Sequence, residues 1–272
     1  MSILEDLAAE AHVRVALAEA EMPLEEMRVA AACVPEPGRR ARRPFPFEQA
    51  LRAPGLSIIA EVKKASPSKG LISPDFPYLD IARDYEAGGA AALSVLTEPA
   101  HFLGSDAILH EIATTVSVPV LRKDFVVDQY QLYEARALGA SAVLLIVAIL
   151  EPTQLREYVT LAHTLGLSCL VEAHDAAEVR TALNAGARVV GVNNRNLHDF
   201  SVDPATAGGL RALVPEGCLF VAESGVATPD DVAAVAASGA DAVLVGEALM
   251  RAPDRRAALR AMRAAAGRED AR

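Results

Sequence analysis

SIIAEVKKASPSKG, Ser57 to Gly70, is the stretch on which the reading of the whole chain turns. It opens as an apolar run, Ile58-Ile59-Ala60, becomes polar at Glu61, Lys63 and Lys64, and ends in a loop of Ser66, Pro67, Ser68 and Gly70. A strand buried on both faces is apolar throughout and bounded by turn residues. Alternate side chains of a strand share a face, so Glu61 and Lys63 point the same way. A carboxylate and an ammonium on one buried face carry a desolvation cost that calls for a reason. Alone, the pair fits a solvated salt bridge at a strand end equally well, and the chain that follows separates the two readings.

From Ser57 onward, short apolar runs alternate with longer amphipathic ones. The strands are predicted at Ser57–Val62, Ala91–Val95, Val118–Leu121, Ala142–Ile146, Ser168–Val171, Val189–Val192, Leu219–Ala222 and Ala242–Val245. Helical spacing falls between them, as in Tyr78–Ala87, Gln129–Leu138, Pro152–Leu165, Ala176–Ala185 and Pro229–Ser238. Gly88-Gly89-Ala90, Gly139-Ala140, Gly186-Ala187 and Gly239-Ala240 end helices, where glycine supplies a left-handed C-cap. Such alternation implies a parallel sheet covered by helices. Eight strands imply an α/β fold, a single (β/α)8 TIM barrel, rather than an open doubly wound sheet, since no GxGxxG follows the first strand. Residues 1–50 are read as an N-terminal helical extension packing on the barrel, and 51–272 as the catalytic barrel. Within the extension, Ser2 and Glu5 match a capping box, Pro23 opens a second helix over Leu24–Ala32, prolines mark an irregular connection, and Phe47–Arg52 reads as one more turn.

Composition narrows the function. The chain has 272 residues, 52% hydrophobic and 23% charged, with a net charge of −10. That acidity, relieved only by the short run Arg39-Arg40-Arg42-Arg43, argues against a nucleic-acid partner. Cys33, Cys169 and Cys218 are widely spaced and form no CxxC, which points to a reducing, cytoplasmic setting. No basic-then-apolar leader pattern is present, and the longest apolar run, Ala142 to Leu150, is too short to cross a bilayer. The six histidines lack metal-ligand spacing, and no dinucleotide or flavin motif appears, so neither metal nor cofactor is expected. His101 and His174, near strand ends, read as solvated loop residues.

In such barrels chemistry sits at the C-terminal ends of the strands. The residues there are Glu61, Lys63 and Ser66; Thr97, Glu98 and Phe102; Lys123, Asp124 and Phe125; Leu144 to Leu150; Glu172; Asn193, Asn194, Arg195 and Asn196; Glu223, Ser224 and Gly225; and Gly246 and Glu247. Charges of both signs, with amides, converging on one face make a catalytic mouth. The glycines after the last two strands suit a phosphate, which backbone N–H groups approach closely there, so the expected partner is a small phosphorylated molecule.

IIAEVKKASPSKG resembles the signature of the indole-3-glycerol phosphate synthases, lyases of tryptophan biosynthesis. LSVLTEPAHFLGS, PVLRKDFVVDQYQ, ASAVLLIVAIL, CLVEAH, GVNNRNL, VAESGV and AVLVGEALM agree in order, covering most of Ser57 to Met250. The helical extension is similar to the family's helices before the first strand. The resemblance implies a substrate, 1-(2-carboxyphenylamino)-1-deoxyribulose 5-phosphate, which loses CO2 and water as an indole ring closes. It implies that Lys123 is the general acid at the ribulose carbonyl, that Glu61 and Glu172 handle protons in dehydration, and that Lys63 lies near the anthranilate carboxylate. It further implies that Asn193 holds substrate hydroxyls, Arg195 lies near the carboxylate, and Phe102, Phe125 and Leu144 wall the aromatic ring. Ser66, Ser224, Gly225, Gly246 and the Glu247 backbone would face the phosphate. Glu247 departs from the serine of some relatives, so its side chain is expected to turn away from the anion. A Schiff-base aldolase, a sugar-phosphate isomerase and a non-catalytic phospholigand-binding barrel remain as alternatives, and the sequence sets no oligomeric state.

Overall fold

The computed structural model describes residues 3–34, 44–196 and 201–267. The expected capping residue Ser2, the basic run at 39–43 and His198 lie outside the described residues. Eight parallel strands form the barrel: β1 Ser57–Val62, β2 Ala92–Leu96, β3 Val120–Lys123, β4 Ala142–Ile146, β5 Ser168–Ala173, β6 Val189–Asn193, β7 Leu219–Glu223 and β8 Ala242–Val245. Each pairs with its neighbours in sequence, and β1 pairs with β8 to close the sheet. An open doubly wound sheet is thereby excluded. β1, β4 and β8 fall where the periodicity predicts them, whereas β2 and β3 run one to two residues further, carrying Leu96 and Lys123 into the ladder.

Helices α4 Tyr78–Gly88, α5 Asp106–Thr115, α6 Tyr130–Ala137, α7 Pro152–Thr164, α8 Ala176–Asn184, α9 Ala205–Leu210 and α10 Pro229–Ala237 follow in turn. The short α11 Glu247–Arg251 and then α12 Arg255–Ala265 follow β8. The glycine punctuation does what its pattern predicts. Gly89 has φ +89°, and the Ala90 N–H bonds back to the Tyr85 carbonyl at 3.0 Å. The same closure recurs from Ala140 to Ala135 at 3.0 Å and from Ala187 to Ala182 at 3.1 Å. Each is the six-to-one bond of a Schellman motif, which satisfies a carbonyl otherwise orphaned at the helix end.

Inside the barrel, side chains from β1, β3, β5 and β7 form a layer of Ile59, Leu121, Leu170 and Val221, all buried. The first residues before β1 complete this core from below. Helix α3, Pro46–Leu51, places buried Phe47 and Leu51 in the same apolar cluster. Helices α1 Ile3–Glu21 and α2 Leu24–Cys33 instead lie against α6, where Ala11, Val15 and Met27 pack on Val127 and Tyr130. Among the described residues no helix is long and apolar enough to cross a membrane.

Candidate active site

Two residues beyond the apolar layer, on the same face of the same four strands, stand Glu61, Lys123, Glu172 and Glu223. The side-chain period of two that builds the dry layer therefore also builds a charged one. Lys123 Nζ lies 3.3 Å from Glu172 Oε2 and 3.7 Å from Glu223 Oε2. Burial disfavours its charge, but Glu172, Glu223 and Glu61 together outweigh that and hold the ammonium well above the ordinary lysine range. Lys63 Nζ donates to Glu61 Oε1. The strand reading of that pair is thus correct: it is an inward ion pair, with Glu61 only 4% exposed, and not a solvated strand end.

The three carboxylates are not equivalent. Burial opposes ionisation of Glu172, yet Lys123, His174 and the amide of Asn193, which donates to Oε1 at 3.1 Å, bring it below the usual carboxylate range. Glu223 goes the other way. Burial, with the charge of Glu172 nearby, raises it to about 8 despite Lys123. Its Oε1 is buried and makes no hydrogen bond among the described residues. Two neighbouring carboxyls driven apart in proton affinity are the arrangement that lets one site hold an acid and a base at once.

A cavity of about 1030 Å³ opens above this layer. The structure brings every sequence-predicted site residue to its wall: Glu61, Lys63, Ser66, Phe102, Lys123, Phe125, Leu144, Glu172, Asn193, Arg195, Ser224, Gly225, Gly246 and Glu247. Phe102 and Phe125 face each other with ring centroids 6.3 Å apart. Asn193 also accepts the Arg195 N–H at 3.0 Å, so one amide orients both the Glu172 carboxylate and the next loop residue. At the end of β7, Ser224 holds φ +66°, a conformation unfavourable for a residue with a Cβ, and Gly225 follows at +83°. The Asn194 side chain fixes this turn by donating to the Ser224 carbonyl at 3.0 Å and accepting the Ala207 N–H at 2.9 Å. Gly246 has a steric reason to lack a side chain. A Cβ there would collide with Glu61 Oε1 and come within 3.1 Å of Lys63 Nζ.

Several residues differ from their sequence reading or were missed by it. Glu98, named among the strand-end charges, is a scaffold: its carboxylate accepts the N–H groups of Ala100, His101 and Phe102 at 2.7–2.9 Å and shapes the loop carrying Phe102. Asp124 is likewise structural, held by Arg14 in a two-bond grip at 2.8 and 3.0 Å and by Thr97 at 2.6 Å. His101 pairs with Glu10 of α1. His174 is no solvated loop residue but sits between Glu172 and Glu178. The Glu247 side chain turns to Arg251 at 3.1 Å and Lys69 at 3.6 Å, two cations on the cavity wall that no motif singled out. Ile3, Leu4 and Leu7 of α1 line the same cavity.

A closed (β/α)8 barrel with a lysine ringed by carboxylates at the carboxyl ends of its strands, beside an aromatic wall, is the class of barrel enzyme that works by proton transfer. Similarity to known proteins makes this particular. A family profile for indole-3-glycerol phosphate synthase matches residues 4–262. The indole-3-glycerol phosphate synthase of Ruminiclostridium cellulolyticum is 57% identical over 225 residues, 83% of this chain and 86% of that one. That of Lacticaseibacillus paracasei is 51% identical over 254 residues, 93% and 96% of the two chains. The chain belongs to the indole-3-glycerol phosphate synthase family. Thiamine phosphate pyrophosphorylase from Pyrococcus furiosus shares the fold alone, with a TM-score of 0.59 and 19% identity over 78% of this chain and 96% of that chain.

Proposed function

We propose that the charged layer divides the family's reaction among named residues, with Lys123 as the acid of ring closure. The enzyme is a carboxy-lyase of tryptophan biosynthesis that converts 1-(2-carboxyphenylamino)-1-deoxyribulose 5-phosphate to indole-3-glycerol phosphate, CO2 and water. The carboxylate-bearing aromatic carbon attacks the ribulose carbonyl carbon. As that bond forms, Lys123 gives a proton to the carbonyl oxygen. An alkoxide is a far stronger base than an amine, so even an ammonium held by the carboxylates beside it serves as the donor. The bond to CO2 then breaks and its electrons restore the ring. Dehydration follows: a side-chain carboxylate, that of Glu172 or Glu61, takes the carbon-bound proton, and a protonated carboxyl gives one to the departing hydroxyl. Glu223, held at about 8, is the group available in that form at neutral pH.

The surrounding contacts support a binding role for the remaining residues. Lys63 and Arg195 match the substrate carboxylate, and Phe102, Phe125 and Leu144 match its aromatic ring. Ser66, Ser224, Gly225, Gly246 and the Glu247 N–H match the phosphate. Residues 1 to about 45 serve as a cover, since α1 contributes Ile3, Leu4 and Leu7 to the cavity and is clamped by Arg14 to the residue after Lys123. The free cysteines and the acidic surface suit a cytoplasmic enzyme.

The observation that carries this assignment is the placing of Lys123 Nζ, buried at the strand ends 3.3 Å from Glu172 Oε2 and 3.7 Å from Glu223 Oε2. It also disfavours a Schiff-base aldolase, whose lysine must shed its proton to attack a carbonyl. Incubation with the carboxyphenylamino substrate, followed by indole fluorescence, is expected to show product. Borohydride added during turnover is expected to trap no covalent adduct, and a trapped adduct at Lys123 would overturn the acid role.

A further inference from the structure

The overall reaction consumes a proton. The substrate carboxylate leaves as neutral CO2, so substrate plus one proton gives product, CO2 and water. Within the site two protons are given, one by Lys123 to the carbonyl oxygen and one by a carboxyl to the leaving hydroxyl, and one is recovered from carbon. Each turnover therefore leaves the site one proton short. On the assignment of Lys123 as the acid of ring closure, the shortfall must be made good before the next ring closure. The bulk solvent is the source, and the layer that must receive the proton is buried: Glu172 and Glu223 are each 2% exposed.

One side chain outside the substrate contacts spans the gap. His174 follows Glu172 by two residues at the end of β5 and faces the first turn of α8. Its Nδ1 lies 3.1 Å from Glu178 Oε2, and the same oxygen accepts the His174 backbone N–H at 2.7 Å. With Glu178 holding the Nδ1 proton, Nε2 is left aimed inward. It is buried, makes no hydrogen bond among the described residues, and lies 3.5 Å from Glu172 Oε1. The other oxygen of that carboxylate, Oε2, is the one 3.3 Å from Lys123 Nζ. A single carboxylate thus presents one oxygen to the histidine and the other to the lysine. The far side of the chain is wet, with His174 and Glu178 side chains 20% and 23% exposed.

We propose that His174 is the proton carrier that recharges Lys123: Nε2 gives its proton to Glu172 Oε1, and the carboxyl so formed turns about its Cγ–Cδ bond, gives that proton to Nζ and is left ionised as before. No bond other than N–H and O–H changes in this step, and the ring regains its proton from water once product leaves. The charged groups facing the imidazole are Glu172 on β5, Glu178 on α8 and, further off, Glu223 on β7. All are carboxyls, and although burial opposes its charge they raise the histidine above its ordinary value, which favours the loaded form of the carrier.

The test compares a first turnover with continuous turnover in His174→Gln, whose amide still reaches Glu178 but carries no titrating proton. Enzyme in excess of the carboxyphenylamino substrate starts with Lys123 charged, so the single-turnover rate is expected to stay within about twofold of the wild-type value. Steady-state kcat in dilute buffer is expected to fall about tenfold or more, the low end for a lost proton-transfer group. Added imidazole is expected to restore it. His174→Asn, with a melting temperature for each variant, repeats the comparison should the glutamine fail to fold. Equal losses in the two regimes, or no loss in either, overturn the proposal. Wild-type kcat in Lys123→Ala would sink the acid assignment itself. An inactive Lys123→Ala beside an unaffected His174→Gln would sink the carrier alone.

Discussion

Along β1, β3, β5 and β7, two layers one side chain apart do opposite work. Ile59, Leu121, Leu170 and Val221 are dry and interlocked. Glu61, Lys123, Glu172 and Glu223, two residues on, put three carboxylates around one ammonium. Ionic groups held this deep contribute little to stability, because desolvation offsets most of their attraction. What the upper layer gains from the lower one is a floor without water, which strengthens every interaction between its charges and spreads their proton affinities. The barrel is therefore stable at one level and reactive at the next, and substitutions at the two levels are expected to have separable effects.

The largest effect is expected from the charged layer. Lys123→Ala removes the proposed acid of ring closure and is expected to lower kcat about 10²–10⁴-fold, with a much smaller change in KM. Its neighbours Glu172 and Glu223 lose a countercharge, but the fold below them is intact. A variant with near-normal kcat would remove Lys123 from the mechanism. Leu170→Ala makes the converse cut. It leaves a cavity in the dry layer and is expected to cost about 2–5 kcal/mol of stability, read by denaturant unfolding. The kcat of the folded fraction should fall less than tenfold. If kcat instead fell as far as in Lys123→Ala, the two layers would not be separable.

Most of this contrast is legible in the chain because strand periodicity is local. Ile59 to Glu61 and Leu170 to Glu172 are each a two-residue step, and the eightfold repetition of apolar run and glycine-ended helix sets the barrel. Helix α5, DAILHEIATT, carries no such clear signal, since its Ile and Thr residues suit a strand as well. The roles that escaped the sequence depend on long-range pairing. Nothing local distinguishes Glu98, which binds three backbone N–H groups, from Glu172, which faces the cavity. Glu223 was visible at its strand end, but its raised proton affinity comes from Glu172, 51 positions away in the chain yet in the same layer. The Arg14–Asp124 clamp joins residues 110 positions apart. His174 is ordinary until Glu172 and Glu178 are seen on either side of it.

That clamp offers a smaller test, directed at the cover rather than the layers. Asp124 is fully buried, while the Arg14 side chain is 25% exposed. Arg14→Ala removes two charge-assisted hydrogen bonds, but Arg122, Thr97 and the Phe125 N–H still hold the carboxylate. A loss of about 1.5–3 kcal/mol is expected, with a several-fold rise in KM as α1 loosens over the mouth. An unchanged KM in the destabilised variant would make α1 a brace for the barrel wall and not a cover for the site.

The last test concerns Glu223, and it reads a slope. Its carboxyl has an ordinary value of 4.5 and stands at about 8 in the folded protein. Between those values the folded state holds a proton that the unfolded state has released. Stability therefore falls as pH rises through that window, because folding must keep protonated a group that water would ionise. Glu223→Gln preserves the shape and removes the titration. Its melting temperature is expected to gain on the wild-type value progressively from about pH 5 to pH 8, by on the order of ten degrees, given about 1.4 kcal/mol per pH unit across that window and about 2–4 °C per kcal/mol for a domain approaching this size. The variant should also lose kcat at neutral pH, since an amide has no proton to give the departing hydroxyl. A gap in melting temperature that stays constant across the range would mean that Lys123 keeps Glu223 ionised throughout. The acid in the dehydration would then have to be sought elsewhere in the charged layer.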